Sequence, residues 1–174
     1  MRCGIAVGSN VGDRLENLRL ARGEILAARE WLALDSAAGP VLCASIYETE
    51  PVDCPPGSAA FLNTVLELST PPQTTPSLIL DRLQSIERTL GRPSRHPRNA
   101  PRTIDLDLLY LDNLELSTAD LTLPHPRLRQ RRFVLAPLAE IRPELILPGD
   151  SRTMAQLLEN LPDTGRIVRL LTSW

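Results

Sequence analysis

Two carboxylates spaced two residues apart, Asp105 and Asp107, stand in the run Pro101-Arg102-Thr103-Ile104-Asp105-Leu106-Asp107-Leu108-Leu109-Tyr110. Ile104, Leu106, Leu108 and Tyr110 alternate with Thr103, Asp105, Asp107 and Leu109, and a period of two predicts a strand with one buried face. Both aspartates then project the same way. Like charges so placed repel each other and disfavour the sheet, which makes a cation between them the natural reason for the arrangement. Ligands that are all oxygen favour Mg²⁺ over zinc. The plainer alternative is a solvated sheet face on which the aspartates pair with arginines. Arginine is certainly at hand: Arg82, Arg88, Arg92, Arg95, Arg98 and Arg102 precede the pair, and Arg127, Arg129, Arg131 and Arg132 follow it. Carboxylates holding a metal between planar guanidinium groups would form a receptor for a polyphosphate.

A second set of residues suggests what else such a receptor would hold. Phe61 and Phe133 are the only phenylalanines, and each stands near polar company. Asn63 shares a strand face with Phe61, and Phe133 adjoins the second arginine group. They fill the core, or they form aromatic walls around a flat heterocycle with Asn63 offering a donor and an acceptor to its edge. His125, between Pro124 and Pro126, either braces a turn or donates to phosphate. Glu87 reads as a solvated helix carboxylate, and Tyr47, Tyr110 and both tryptophans as packing.

Composition narrows the chemistry. The 174 residues are 43% hydrophobic, enough for one domain with a substantial core, and a net charge of -2 argues against a general nucleic-acid binder. No lysine occurs, which excludes a P-loop lysine and a Schiff base. With only His96 and His125, and with Cys3, Cys43 and Cys54 lacking C-x-x-C spacing, a His/Cys zinc site is not expected. No leader-like or membrane-spanning stretch is read, so the expectation is a cytoplasmic protein with no membrane or nucleic-acid partner, and a monomer.

The elements that must position these residues follow from periodicity and turn signals. Residues 3–7 form a buried strand ending at Gly8-Ser9-Asn10. Asp13 and Glu16 make a capping-box-like start to a helix running towards Leu34, with Leu15, Leu18, Ile25 and Leu32 inside. A second strand spans residues 41–49, and the proline-rich span 50–58 is a surface loop. Residues 61–68 alternate as a third strand, with Leu62, Thr64, Leu66 and Leu68 opposite Phe61, Asn63, Val65 and Glu67. Thr75-Pro76 starts a helix that Gly91 ends, with Ile79, Leu83, Ile86 and Leu90 buried. Residues 92–100 form a loop leading into the aspartate strand, and a short strand at 114–116 precedes Leu123-Pro124-His125-Pro126. Residues 131–141 are helical despite Pro137, residues 151–161 form a further helix, and 167–171 an edge strand. Strand, helix, strand, strand, helix, strand is the order of a ferredoxin-like split βαβ core, so the expected class is α+β, a largely antiparallel sheet covered by helices, in one domain over residues 1–174.

The combination of Gly8-Ser9-Asn10, Tyr47-Glu48-Thr49-Glu50-Pro51, Phe61-Leu62-Asn63, Glu87-Arg88-Thr89-Leu90-Gly91-Arg92, Pro101-Arg102-Thr103-Ile104-Asp105-Leu106-Asp107 and Leu123-Pro124-His125-Pro126-Arg127 resembles the 6-hydroxymethyl-7,8-dihydropterin pyrophosphokinases of the folate pathway. The resemblance implies transfer of diphosphate from ATP to the pterin hydroxymethyl group, giving AMP, with two Mg²⁺ ions. It implies Asp105 and Asp107 as metal ligands, and Thr49, Glu50, Pro51, Phe61, Asn63 and Phe133 around the pterin. Gln84, Glu87, Arg92, Arg98, Arg102, Leu108, Thr122, His125 and Arg131 fall where the family meets ATP, with Arg92 and Arg102 stabilising charge as it develops. Some members carry tryptophan in the 92–100 loop where this sequence has Asn99, which puts loop closure over the pterin in question. The rival readings are a regulatory module that binds a nucleotide without turning it over, and a metal-dependent nuclease or RNA-binding domain. The first has no use for a carboxylate pair opposing phosphate, and the second would want exposed stacking aromatics.

Overall fold

The computed structural model describes residues 1–27, 40–52, 54–92, 100–162 and 165–174. The expected helical extension towards Leu34, and Arg98, Asn99 and most of the 92–100 loop, lie outside the described residues.

Eight strands and four α-helices are described: β1 (Arg2–Ser9), α1 (Arg14–Ala27), β2 (Leu42–Cys43), β3 (Ile46–Thr49), β4 (Phe61–Ser69), α2 (Pro76–Thr89), β5 (Asp105–Leu111), β6 (Leu116–Ser117), β7 (Thr122–Leu123), α3 (Arg132–Ile141), α4 (Met154–Glu159) and β8 (Ile167–Leu171). The main sheet runs β5-β1-β4-β3-β8, every pairing antiparallel, with β2 also on β4. β4 lies between β1 and β3, the insertion that splits a βαβ unit, so the ferredoxin-like arrangement expected from the element order is present. Among the described residues no helix is long and apolar enough to cross a membrane.

Local signals account for the helix starts. The Asp13 carboxylate accepts the Glu16 N–H at 3.0 Å, and the Thr75 hydroxyl accepts the Leu78 N–H in front of Pro76. α3 keeps Pro137 inside it, and α4 is shorter than the helix expected over 151–161, starting at a Thr153/Gln156 capping box. The strand expected over 41–49 is broken at Ala44-Ser45, where the Ser45 N–H and hydroxyl both donate to the Glu140 carboxylate instead of continuing the ladder. The strand expected at 114–116 begins only at Leu116 and pairs with β7.

Two hydrophobic cores sandwich the sheet. Cys3, Ile5, Val7, Leu62, Leu66, Leu106 and Leu108 pack on one face against Leu18 and Ile25 of α1 and Ile79 and Leu83 of α2. On the other face Val65, Leu109 and Tyr110 pack against α3 and α4. Tyr110 therefore faces away from Leu106 and Leu108, contrary to the strict alternation expected along residues 104–110. The cause is a bulge: β1 pairs Ile5 with Leu108 but Gly4 with Tyr110, so Leu109 is an extra residue and the side-chain phase flips there.

The flip needs room opposite it. A Cβ on Gly4 would fall onto the Tyr110 ring, whose hydroxyl donates to the buried Glu67 carboxylate, and Glu67 in turn accepts from Arg142 at the end of α3. Gly4→Ala is expected to cost at least about 1–3 kcal/mol, because the ring cannot retreat without breaking that hydrogen bond. Urea unfolding measures it. A loss below about 0.5 kcal/mol would show that the ring yields freely and does not anchor the bulge.

Candidate active site

The α3-covered face of β1 is made of its smallest residues. Gly4, Ala6 and Gly8 alternate with Cys3, Ile5 and Val7, which enter the other core. Across this face Asn63 on β4, Gly8 on β1 and Asp105 on β5 lie in one row, with Val65, Ala6 and Asp107 in the next. A Cβ at Gly8 would come within 2.7 Å of the Asn63 side-chain oxygen, so only glycine lets that carboxamide lie over β1. The result is a shallow floor with an amide on one side and two carboxylates on the other.

The carboxylates are held by arginines from three segments. Arg92 donates to Asp105 at 2.8 Å and also to Glu87, while Arg102 approaches Asp105 at 3.3 Å and Arg131 approaches Asp107 at 3.2 Å. Burial and the charge of Asp107 push the Asp105 carboxyl up from the usual carboxylate range, and Arg102 and Arg92 oppose the shift. Glu87 is not the solvated carboxylate its helix position suggested: it is 8% exposed and accepts the Leu106 N–H at 2.8 Å, stitching α2 to the strand that carries both aspartates. Burial raises its pKa against the pull of that N–H and of Arg92.

Arg102 is placed by a residue that sequence reasoning read only as a turn. Asn10, at the end of β1, donates its N–H to the Arg102 carbonyl at 3.2 Å and accepts the Arg102 N–H on its side chain at 2.8 Å. This two-way bond clamps the approach to β5 against β1. The Gly-Ser-Asn cluster was the available signal, since asparagine can satisfy a neighbouring backbone in this way.

The two aspartates line different cavities. One is lined by Thr49, Glu50, Val52, Cys54, Phe61, Asn63, Arg102, Asp105, Arg127, Arg131 and Phe133. The other is lined by Leu80, Leu106, Asp107, Leu108, Thr118, Ala119, Asp120, Leu121, Thr122, His125 and Pro126. Asp105 thus belongs to the first and Asp107 to the second. The pterin set proposed from the resemblance is gathered in the first cavity apart from Pro51, while Leu108, Thr122 and His125 line the second. Gln84 is exposed on α2, and neither it nor Glu87 lines either cavity. Val52 and Cys54 line the first cavity without having been singled out from the sequence, and Arg127, noted there in the second arginine group and the Leu123–Arg127 motif, lines it too.

Phe61 is buried but belongs to neither hydrophobic core, and the Arg102 guanidinium lies 5.6 Å from its ring centre. Phe133 packs partly against the α3 core, with Arg131 5.4 Å from its ring centre. The Asn63 amide donates to the Thr49 hydroxyl at 2.7 Å, which fixes the orientation of its carboxamide. His125 is fixed too. Its N–H donates to the carbonyl of the bulge residue Leu109 at 2.8 Å, and its ring Nδ1 accepts the Arg127 N–H at 3.2 Å. The neutral ring then carries its proton on Nε2, and burial lowers its pKa, with Arg131 and Arg127 acting in the same direction against Asp107.

Such a floor can bring a flat polar ring and an anion together at a carboxylate pair ringed by guanidinium groups, the layout of a phosphate-transferring protein. Residues 4–143 match the family described as 7,8-dihydro-6-hydroxymethylpterin-pyrophosphokinase (HPPK), and the chain belongs to it. A 2-amino-4-hydroxy-6-hydroxymethyldihydropteridine pyrophosphokinase of Bacillus subtilis is 43% identical over 137 residues, covering 79% of this chain and 75% of its own. Another of the same name from Synechocystis is 34% identical over 161 residues, covering 92% and 76%. Among solved structures, the Plasmodium falciparum HPPK-DHPS superposes with a TM-score of 0.60 at 16% identity, a likeness of fold. That match covers 91% of this chain, which spans 43% of the solved one. Membership of the family makes the protein a pyrophosphokinase of folate biosynthesis.

Proposed function

We propose that the protein transfers diphosphate from ATP to 6-hydroxymethyl-7,8-dihydropterin in a Mg²⁺-dependent reaction, with the pterin in the Phe61/Asn63 cavity and the nucleoside in the Leu108/His125 cavity. The observation that carries this reading is that Asp105 lines the first cavity and Asp107, two residues on along the same strand face, lines the second. In the reaction the hydroxymethyl oxygen bonds to the β-phosphorus, and the bond from that phosphorus to the α,β-bridging oxygen breaks. AMP leaves with the electron pair, and the hydroxyl proton passes to solvent.

The donor set fits magnesium. Both groups are hard oxygens on one strand face, and among the described residues no cluster of three His, Cys, Asp or Glu offers a fuller cage. Mg²⁺ is commonly held by one or two carboxylates together with substrate phosphates, and two such ions are part of the proposal. When bound at Asp105 and Asp107, the metal supplies neutralisation of phosphate charge and acidification of the hydroxyl.

The remaining work falls to side chains. Phe61 and Phe133 hold the pterin ring, while Asn63, oriented by Thr49, reads its polar edge. Arg102, clamped by Asn10, and Arg92, anchored by Glu87, place cations where charge spreads over the transferring group. His125 donates from Nε2 to a phosphate or ribose oxygen, and Arg131 supports Asp107. Glu87 acts here through Arg92 and the β5 backbone.

Incubation with ATP, Mg²⁺ and hydroxymethyldihydropterin should yield AMP and the pterin diphosphate. ADP as the nucleotide product, or no turnover, would overturn the reading.

Removing the aromatic walls separates binding from packing. Phe61→Ala and Phe133→Ala should each weaken pterin binding by roughly 1–3 kcal/mol and leave ATP affinity nearly unchanged. The structure adds an asymmetry. Phe61 is buried, whereas Phe133 is half-buried and packs only partly against the α3 core, so the larger loss of thermal stability should fall on Phe61→Ala and Phe133→Ala should lose binding with a smaller stability cost. Calorimetry with each ligand and a melting curve check both. A loss of ATP binding with pterin binding intact would reverse the assignment of the cavities.

A further inference from the structure

The arginines around the aspartate pair differ in how they are partnered. Arg92 meets Glu87 and Asp105, Arg102 meets Asp105, and Arg131 meets Asp107. Arg127 also lines the pterin-side cavity, yet among the described residues its side chain makes no ion pair with a carboxylate. It stands just before the 3-10 turn at Leu128–Gln130 and makes no capping bond from its side chain. Among those residues its backbone alone is committed, the N–H to His125 and the carbonyl to the Gln130 N–H. Three guanidiniums face Glu87, Asp105 and Asp107, whereas Arg127 has no carboxylate bound to it among the described residues; Glu50, the other carboxylate lining this cavity, accepts from the backbone N–H of Arg166.

The position of Arg127 gives its charge a direction. The lining of the nucleoside-side cavity ends at Pro126, one residue earlier, while Arg127 lines the cavity that holds Phe61 and Asn63. In the reaction proposed above the diphosphate starts on the nucleotide and ends attached to the pterin hydroxymethyl oxygen. A cation on the pterin side of the aspartates meets that group more fully after transfer than before it.

We infer that Arg127 is a product-recognition residue, binding the diphosphate of the pterin diphosphate and favouring the enzyme–product complex over the enzyme with its substrates. The inference rests on the proposed assignment of the two cavities. A guanidinium suits the role because it presents several parallel donors to phosphate oxygens, and its loss removes charge-assisted hydrogen bonds without touching the His125 contact, which is made by the backbone.

The test compares wild type with Arg127→Ala, Arg127→Gln and Arg127→Lys by calorimetric titration against three ligands: hydroxymethylpterin, its diphosphate, and α,β-methylene-ATP. Alanine and glutamine should weaken the pterin diphosphate roughly 10- to 100-fold, while the alcohol and the ATP analogue stay within about threefold and lysine restores part of the loss. Product inhibition of turnover should ease in step. Equal weakening of alcohol and diphosphate would make Arg127 a shaper of the cavity, and a larger effect on the ATP analogue would place it with the nucleotide. Either result, or no change in any ligand, overturns the inference. Failure of the wild type to form AMP would instead overturn the underlying functional reading, so the two failures are told apart.

Discussion

Asp105→Asn and Asp107→Asn are each expected to reduce AMP formation roughly 10³-fold or more, because a metal held by both carboxylates is asked for several kcal/mol of transition-state stabilisation. Asparagine is the better substitution for one structural reason. Asp105 is the common partner of Arg92 and Arg102, both mostly buried; either substitution removes their counter-charge, but asparagine keeps a carboxamide oxygen that can accept from them and alanine does not. From the strand pattern alone, removal of like-charge repulsion should leave the fold untouched. The ion pairs overturn that expectation for Asp105: its alanine variant should melt lower than that of Asp107, whose carboxylate pairs with Arg131 alone among the described residues. Steady-state AMP release and thermal melts on the four variants decide the matter. Activity within about tenfold of wild type in either asparagine variant would rule out the pair as metal ligands.

Arg102→Ala should lower kcat on the order of a hundredfold while changing the KM values much less, as expected for a donor whose strongest contacts form with charge developed in the transition state. Lysine should recover only part of this. Arg102 lies over the Phe61 ring and takes its backbone position from Asn10, a geometry that suits a flat guanidinium better than a compact ammonium. Arg92→Ala should show the same kinetic direction with a stability loss added, since Glu87 is buried and would keep the Leu106 N–H while losing Arg92. Single-turnover kinetics separates chemistry from binding. If Arg102→Ala raises KM by the full factor and leaves the chemical step untouched, Arg102 is a ground-state binding residue and the role given to it here is wrong.

How much of this was legible beforehand depends on the range of the interactions involved. The alternation through Asp105 and Asp107 is a property of the extended backbone itself, so the sequence alone placed both carboxylates on one face, just as Thr75-Pro76 alone marked the start of α2. The order of elements likewise determined the split βαβ core, because adjacent antiparallel strands with two covering helices leave few other ways to bury both faces. The bulge at Leu109 was not legible, since it arises from pairing with β1 and from the space that Gly4 leaves for Tyr110, a residue more than a hundred positions away. Neither was the burial of Glu87, whose partners Arg92 and Leu106 come from the loop and strand beyond its own helix. The division of the two aspartates between two cavities and the lack of a carboxylate partner for Arg127 among the described residues belong to the same class. Periodicity reports where a side chain points relative to its own strand or helix, whereas ion pairing and cavity walls depend on which distant elements close over it, and only the packed chain brings those within the few ångströms over which charge and hydrogen bonding act.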